Sequence, residues 1–505
     1  MITPRQRNVA LLVAGCFFME NLDGTIVTTA APRIGIDLHV PSSAVGLVIT
    51  VYLMTLAVLI PLSGWMTAKL GTRKVFLAAI ITFTVASALC AASRNLGELV
   101  GMRVLQGAGG AMMVPVGRLT VLAKAAKADI MRLVAYIVWP GLVAPVIAPL
   151  AGGLITTYAS WRWLFLINVP LGMVALLVAV RLVPAAPTVN PPRLDIAGVV
   201  LTCAGLGGLT WWAHLLSTPA VSWAQVAVIG AASAVLLAAT VRHLLRAANP
   251  LVDLRTLRIP SLRAAVVGGS LFWIMVGAAP FLLPLLFQNI FGWSPVKSGA
   301  VVLFIFAGNI GIKPATTFLM NRFGFRTVLT AATATAAATM AAAACFTAAT
   351  SLLVILLVTL LSGVARSVGL SAYTTLSFSE VPAEQMPHAN TLSATSMQLC
   401  AGLGVAVATV ALRAGLPVAR LFTSHPAAGD AYTVAFVVLA LFALTATAGA
   451  LRLHPESGNA VRSVGAVRSV RTPSSSSSSS SAAASPGAVP GLVGPAPSRH
   501  GNDVK

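Results

Sequence analysis

Charged residues are scarce in this chain of 505 residues, where Asp, Glu, Lys and Arg together make up only 9%. An average soluble protein carries about 25%, so the composition argues against a soluble fold. Acids are the rarest class, with 12 against 33 basic residues, whereas 57% of the chain is hydrophobic and its mean hydropathy is +0.89. Together with long, repeated apolar runs, this composition predicts an all-α polytopic membrane protein.

Several other features are missing, and each absence narrows the function. There is no cluster of His, Asp and Glu at metal-ligand spacing, no nucleophile–base motif and no Walker-type phosphate loop, which argues against an enzyme or a primary pump. No basic stripe alternates with aromatic residues, so we expect no nucleic-acid partner. The five cysteines lie in apolar runs without paired spacing and are predicted to be small buried hydrophobes, with neither metal nor cofactor implied: Cys16, Cys90, Cys203, Cys345 and Cys400.

Apolar segments long enough to cross a bilayer recur about fourteen times. The first has no small-residue cleavage site after it, so we expect a retained span and not a signal peptide. Lys and Arg concentrate in every second loop, which predicts that both termini are cytoplasmic. The segments are 9–31, 45–68, 75–93, 98–122, 133–157, 163–183, 195–214, 222–241, 264–289, 298–320, 327–347, 351–377, 393–413 and 432–452.

An internal repeat organises these segments. Lys69-x-Gly71-x-Arg73 follows the second span, and Arg322-x-Gly324-x-Arg326 follows the tenth. A duplicated six-span unit with two spans inserted between the copies explains both the count and the spacing, as in many secondary transporters. The sequence therefore predicts a six-helix bundle over 1–190, two linker spans over 191–245, a second six-helix bundle over 246–453, and a disordered cytoplasmic Ser/Ala/Pro-rich tail over 454–505.

Two acids within the first span raise the most specific hypothesis. Glu20 and Asp23 are three residues apart, so they share one side of a helix. Two neighbouring carboxylates in a low-dielectric setting cannot both ionise cheaply, and one of them is expected to exchange a proton. We hypothesise that both acids, with Arg103 as a cationic neighbour, form a proton-coupling site. The alternative is that Asp23 is a structural acceptor that fixes span one against span four.

Four basic residues also lie within spans. Arg103 and Arg118 fall toward opposite ends of span four, where both are expected to snorkel in part. Lys313 and Arg366 lie in the C-terminal half beside small residues. They either balance acids of the other half or bind an anionic group of a substrate, and the sequence leaves both options open.

Five motifs together resemble the fourteen-span drug:proton antiporters of the major facilitator superfamily. The resemblance covers residues 8–452, and its motifs occur in order and at matching depths. The motifs are LDGTIVTTAAP (22–32), GWMTAKLGTRK (64–74), RVLQGAGGAMMVPVGR (103–118), PGLVAPVIAPLAGG (140–153) and WRWLFLINVPLG (161–172).

The resemblance implies roles for three of these motifs. The loop motif is expected to form a charged latch between helices, although Ala68 and Asn321 replace its usual acids, so the cations are left to pair with helix C-termini or lipid. The fourth-span and fifth-span motifs imply close helix packing and a bend that limits proton leak. The residues concerned are Gly64, Lys69, Gly71, Arg73 and Lys74 in the loop, Gln106, Gly107, Gly109 and Arg118 in span four, and Pro145, Pro149, Gly152 and Gly153 in span five.

The function implied by the resemblance is proton-coupled export of amphipathic drugs or toxic compounds across the cytoplasmic membrane. The expected partners are the bilayer, protons and small amphipathic molecules, with the monomer as the working unit. A dedicated exporter of one endogenous metabolite and an uptake symporter remain the alternatives within the superfamily, and a membrane enzyme is the remote one.

Overall fold

Helices account for all the regular secondary structure in the described part of the chain. The structure, a computed structural model, describes residues 4–122, 130–184, 193–216, 222–382, 385–422 and 427–454. The predicted disorder of the tail concerns residues that lie outside these ranges, apart from residue 454. A short 3-10 helix spans Leu254–Arg258. The α-helices are α1 Pro4–Asp37, α2 Gly46–Leu59, α3 Leu62–Leu70, α4 Thr72–Ala92, α5 Leu96–Leu122, α6 Ile130–Tyr158, α7 Trp163–Leu166, α8 Asn168–Leu182, α9 Ile196–Leu216, α10 Trp223–Arg246, α11 Pro260–Asn289, α12 Pro295–Gly311, α13 Lys313–Ala344, α14 Leu352–Phe378, α15 Met386–Ala419 and α16 Asp430–Leu451.

The predicted class, a multi-pass helical membrane protein, is confirmed. Among the described residues, 11 helices are long and apolar enough to cross a membrane, or up to 12 if α2 and α3, which meet at a 56° bend, form one span. One reason that this criterion gives fewer than the fourteen predicted spans is that the apolar helix Pro295–Gly311 is shorter than a full crossing.

Helix packing follows the same scheme twice. In the first group, α1 packs on α6 and α8, α4 packs on α5, and α2 packs on α5. In the second group, α11 packs on α15 and α16, α13 packs on α14, and α12 packs on α14. We call α1–α8 the N-terminal bundle and α11–α16 the C-terminal bundle. Helices α9 and α10 pack on each other, and α9 also lies against α2 and α15, so this hairpin contacts both bundles.

The two repeat glycines adopt one unusual backbone conformation. Gly71 has φ 84° and ψ 146° between α3 and α4. Gly324 has φ 79° and ψ 161° and interrupts the helical geometry of α13. Residues other than glycine rarely adopt this backbone conformation, because their Cβ atom clashes with the backbone. The motif thus encodes the same break at corresponding positions of the two bundles, between α3 and α4 and within α13.

The close contacts between the bundles lie at one end of the molecule, which we call the closed end. A Cβ at Gly153 of α6 would meet the backbone of Pro295 in α12, and a Cβ at Gly299 would meet the backbone of Pro149. Two hydrogen bonds also join the bundles there: Thr50 Oγ1 donates to the Gly402 carbonyl at 3.3 Å, and Gln288 Nε2 donates to the Thr29 carbonyl at 2.9 Å. Backbone contact through glycine holds the bundles together at this end.

The cysteines follow the prediction only in part. Cys16, Cys90 and Cys400 are buried, whereas Cys203 and Cys345 are exposed. The prediction was wrong for these two because an apolar run can face lipid as well as protein, so an apolar environment in sequence does not require burial within the bundle.

Candidate functional site

The centre of the N-terminal bundle holds a buried ion pair. Arg103 Nη1 of α5 donates to Asp23 Oδ2 of α1 at 2.5 Å, and both side chains have no exposed surface. A buried ion pair is tolerated only when further hydrogen bonds satisfy its remaining polar atoms. The sequence-based hypothesis that Asp23 and Arg103 are neighbours therefore agrees with the geometry.

Three neutral polar side chains extend this arrangement, while Arg103 Nη2 and Asn168 Oδ1 stay enclosed without a hydrogen-bond partner among the described residues. Gln106 Nε2 donates to Asp23 Oδ1 at 2.9 Å and to Ser87 Oγ at 2.7 Å, while Gln106 Oε1 accepts from Arg103 Nη1 at 2.7 Å. Asn168 Nδ2 of α8 donates to Asp23 Oδ1 at 2.8 Å. We call these five residues the Asp23 cluster. It links α1, α4, α5 and α8 through side chains alone.

Aromatic rings surround the guanidinium of Arg103. Its Cζ lies 4.3 Å from the ring centroid of Tyr52 and 5.4 Å from that of Phe165, and its Nε donates to the Val48 carbonyl at 3.4 Å. Cation–π contacts of this kind stabilise a desolvated cation. The expectation that Arg103 snorkels was wrong because its partners are all internal, whereas Arg118 is exposed.

Glu20 lies outside the Asp23 cluster. Its side chain is half-buried, and its Oε2 is enclosed without a hydrogen-bond partner among the described residues. The Tyr52 hydroxyl is enclosed in the same unpartnered way. Three residues along an α-helix differ by about 60° in direction, so Asp23 enters the bundle centre while Glu20, on the same side of α1, reaches a different environment.

The glycines of the fourth-span motif allow close packing of α5. A Cβ at Gly107 would meet the Thr55 side chain and the Tyr52 carbonyl on α2, and a Cβ at Gly109 would meet the backbone of Phe83 on α4. These contacts bring α2 and α4 against α5 at the level of the Asp23 cluster, so the motif positions the helices that supply the cluster.

The fifth-span motif lies in α6, which remains helical through Pro145 and Pro149. A Cβ at Gly152 would meet Thr29 and the Ile26 carbonyl of α1, while Gly153 faces α12. The motif therefore packs one helix against both bundles at the closed end. The role in limiting leak stays a prediction, and the glycines expected to serve it lie at this seam and not at the ion pair.

Among the described residues, no cation of the loop motif forms an ion pair with a carboxylate. Arg73 Nη2 donates to the Val180 carbonyl in the last turn of α8 at 2.8 Å, and Lys69 Nζ lies 4.7 Å from the Trp65 ring centroid. Lys74 is exposed, and a Cβ at Gly64 would meet nothing within 4 Å. A cation at a helix C-terminus is favourable because of the helix dipole. Arg73 therefore contacts the C-terminus of α8, which is one of the two partners expected for the loop cations when the usual acids are replaced.

Two cations lie inside the C-terminal bundle, far from these motifs in sequence. Lys313 Nζ donates to Ser371 Oγ at 3.1 Å, and Arg366 Nη1 donates to the Val276 carbonyl at 3.1 Å. The structure does not place an acid of the N-terminal bundle beside either one, among the described residues. Charge balance with Glu20 or Asp23 is thus not seen in this conformation.

Sequence reasoning missed three residues around Asp23: Tyr52, Ser87 and Asn168. Asn168 lies within the WRWLFLINVPLG motif, and that position was its available signal. Tyr52 and Ser87 carry no signal, since hydroxyl-bearing residues are common in membrane helices. The described residues contain no group of three or more His, Cys, Asp or Glu that could hold a metal ion.

Comparison with known proteins identifies the family. Residues 13–405 match the family described as Major Facilitator Superfamily. The chain is 35% identical over 401 residues to "Putative multidrug resistance protein MdtD" of Salmonella paratyphi A, and likewise to that of Salmonella typhimurium, covering 79% of this chain and 85% of each relative.

Solved structures agree in fold. A POT family transporter in complex with 5-aminolevulinic acid has a TM-score of 0.67 at 12% identity, covering 91% of this chain and 97% of that one. The POT family transporter PepTSo has a TM-score of 0.64 at 15% identity, covering 90% of this chain and 99% of that one. With the family match and the duplicated helix packing, the conclusion is direct: the chain belongs to the Major Facilitator Superfamily, whose members are transporters and not enzymes.

Proposed function

We propose that this chain is a proton-coupled antiporter that exports amphipathic small molecules across the cytoplasmic membrane. The observation that carries the proposal is the pair of acids in α1. Asp23 already has Arg103 as a counterion, whereas Glu20 has an enclosed carboxylate oxygen with no hydrogen-bond partner in the described part of the chain. An unpaired charge inside a membrane is costly, so binding a proton lowers the free energy of Glu20 in this environment.

Proton binding at Glu20 can act on the bundle through α1. Asp23 lies one helical turn further along the same helix and ties it to α5 and α8 through Arg103 and Asn168. A change in charge at Glu20 therefore alters the forces on a helix that is cross-linked to the rest of the bundle. We propose that protonated and ionised Glu20 favour different arrangements of the two bundles.

Fourteen spans with both termini in the cytoplasm complete the proposal. Counting α2 with α3, α7 with α8, and α12 with the part of α13 before Gly324 as single spans gives fourteen crossings among the described helices. An even number places both termini on one side, and the basic loops favour the cytoplasm. In this orientation the closed end faces outward, and the loop motif with Arg73 stabilises the cytoplasmic end of α8.

Export of several compounds is supported over the alternatives by two findings. The relatives are named as multidrug resistance proteins, and the fifth-span motif is the one that the resemblance associates with antiport. A dedicated exporter of one metabolite uses the same coupling site, so a substrate panel separates the two functions.

Transport into inverted membrane vesicles tests the proposal. A gradient that is acid inside should drive uptake of fluorescein or rhodamine 6G, and an uncoupler should abolish it. Glu20→Gln should lose accumulation against a gradient while retaining dye exchange at equal concentrations. Glu98→Gln is the matched control, because Glu98 is exposed and serves the first turn of α5. Uptake that survives the uncoupler, or full accumulation by Glu20→Gln, would reject proton coupling at this site.

A further inference from the structure

Two cations of the C-terminal bundle are only partly satisfied. Among the described residues, Lys313 Nζ donates one hydrogen bond, to the neutral hydroxyl of Ser371. Within the same part of the chain, Arg366 donates one hydrogen bond, to the Val276 carbonyl, and its Nε is enclosed without a partner. Its Cζ also lies 5.5 Å from the ring centroid of Phe306. Both side chains remain partly exposed.

The acids that the structure describes in this half form hydrogen bonds elsewhere. Asp253 accepts from the Arg255 amide, Glu380 from the Ser261 amide and Asp430 from the Ala427 amide. Each lies at or beyond a helix end. Within the described part of the C-terminal half, no carboxylate forms an ion pair with Lys313 or Arg366 under a 4 Å limit. Two positive charges in a membrane bundle without a counter-charge are expensive unless a ligand supplies one.

The internal repeat shows that these cations are not a second copy of the buried ion pair. The offset that relates Gly71 to Gly324 places Val276 in the position of Asp23. Gly363 packs on the α12 backbone as Gly107 packs on the α2 backbone, and this match places Thr359 in the position of Arg103. The C-terminal bundle has thus lost the ion pair and carries its cations at other positions, so repeat symmetry does not account for them.

Both cations lie against α14. Arg366 belongs to this helix, and Lys313 contacts it through Ser371, five residues further on, which corresponds to about 7.5 Å along the helix axis and about 140° around it. The reach of the two long side chains is therefore what can bring their charged ends to one ligand. Tyr373, two turns after Arg366, adds an enclosed hydroxyl without a hydrogen-bond partner among the described residues. A guanidinium suits bidentate contact with a carboxylate, and an ammonium supplies a point charge beside it.

We propose that Lys313 and Arg366 bind the acidic group of the transported molecule, so that the preferred substrates are amphipathic organic anions bearing a carboxylate or sulfonate. This inference rests on the proposed transport function. The ring of Phe306 beside Arg366 offers apolar contact for the remainder of such a molecule.

Dye binding at equilibrium tests charge preference without any gradient. Fluorescein, its methyl ester and rhodamine 6G share one ring system but differ in charge. Their binding to the purified full chain in phosphatidylcholine nanodiscs can be followed by fluorescence anisotropy. We expect fluorescein to bind tightest, and Arg366→Gln or Lys313→Gln to weaken it by about ten- to a hundredfold, the worth of one charged hydrogen bond. Rhodamine 6G binding should not change.

Control variants separate a binding role from a folding role. Arg322→Gln removes an exposed cation of the same bundle and should bind fluorescein as the wild type does. Arg366→Lys keeps the charge and should retain part of the affinity for fluorescein. If Arg366→Gln does not fold, the affinity of Arg366→Lys tests the binding role in its place. Equal fluorescein binding by wild type and both glutamine variants, or equal loss of all three dyes in folded variants, would overturn the inference.

The source of the anion is tested by changing the lipid. Phosphatidylglycerol added to the nanodiscs should leave fluorescein binding intact, whereas full displacement would make the cations a lipid site and overturn the inference. Gradient-driven export without charge preference would remove this inference and leave the proposed function standing. Charge-selective binding without gradient-driven export would reject the proposed function and leave the anion-binding role of Lys313 and Arg366 standing.

Discussion

Asn168 Nδ2 donates a hydrogen bond of 2.8 Å to Asp23 Oδ1, across 145 residues of sequence. The same carboxylate oxygen accepts from Gln106, while its other oxygen accepts from Arg103. One acid thus receives hydrogen bonds from two further helices, α5 and α8. The integrity of the N-terminal bundle centre depends on this carboxylate.

Removing the charge of Asp23 should destabilise the protein strongly. Asp23→Asn leaves the Arg103 guanidinium buried without a counterion, and breaking a buried pair costs about 3–5 kcal/mol. The free energy of unfolding in detergent measures the effect. Asp37→Asn is the matched control, because Asp37 pairs with Arg162 at 2.7 Å on the surface, where a pair contributes about 0–1 kcal/mol. Similar losses in the two variants would contradict the structural role of the buried pair.

The repeat glycines should respond alike to substitution. Gly71→Ala and Gly324→Ala force alanine into a conformation that costs about 1–3 kcal/mol, so both should lower the thermal midpoint of unfolding. Gly64→Ala places a methyl group in open space within α3 and should be neutral or stabilising by about 0.5–1 kcal/mol. If Gly71→Ala lowered the thermal midpoint and Gly324→Ala did not, the break at Gly324 would not be required for stability.

A bulky side chain at the seam between α6 and α12 should open the closed end. Gly153→Val or Gly299→Val would push a side chain into the backbone of the facing helix. In a cysteine-free background with Gln288→Cys, labelling by a membrane-impermeant maleimide should become faster. Gly268→Val is the control, since a Cβ there meets nothing within 4 Å. An unchanged labelling rate in Gly153→Val would show that the seam does not seal this end.

Acid should weaken the joint between the α9–α10 hairpin and the chain that follows it. Burial alone would raise the pKa of Asp195, but hydrogen bonds from His243 and from the amides of Gly198 and Leu251 outweigh it and hold this pKa below its ordinary value. A lowered carboxyl pKa stabilises the folded state above the ordinary Asp pKa of 3.8, and this contribution disappears as pH falls through the lower folded value.

The measurement is the thermal midpoint between neutral pH and pH 3 for wild type and Asp195→Asn. The wild type should be more stable at neutral pH, and the difference should shrink as the pH falls below the ordinary Asp range. His243→Asn should remove part of the difference, because His243 Nε2 lies 2.6 Å from Asp195 Oδ1. If the difference in thermal midpoint between wild type and Asp195→Asn stayed constant across the pH range, the stabilising role of ionised Asp195 would be rejected.

How much of the site could be predicted from the sequence depends on the chemical class of each residue. Charges are rare in membrane helices, so Asp23 and Arg103 were conspicuous, and their pairing follows from the cost of isolated charge. Ser87 and Tyr52 are not conspicuous, because hydroxyl-bearing residues are common in membrane helices, and a serine hydroxyl often donates to a carbonyl of its own helix. Ser87 Oγ, for instance, also donates to the Phe83 carbonyl at 2.9 Å.

The absence of a hydrogen bond between Glu20 Oε2 and the Asp23 cluster could not be predicted from spacing. A three-residue interval places two side chains on one side of a helix, but the environment of each depends on which neighbouring helices approach. The exact positions of the helix ends could not be predicted for a similar reason. Hydropathy marks apolar runs, whereas the breaks at Gly71 and Gly324 and the short length of α12 depend on backbone geometry.

The closed end is held by backbone packing at Gly153 and Gly299 and by hydrogen bonds between neutral groups, Thr50 with Gly402 and Gln288 with Thr29. Neutral contacts of this kind are not screened by dissolved ions, unlike pairs of exposed charges. The balance between this arrangement and one opened at the same end should therefore be nearly independent of ionic strength. It should respond instead to side-chain volume along the seam and to the lateral pressure of the surrounding lipid.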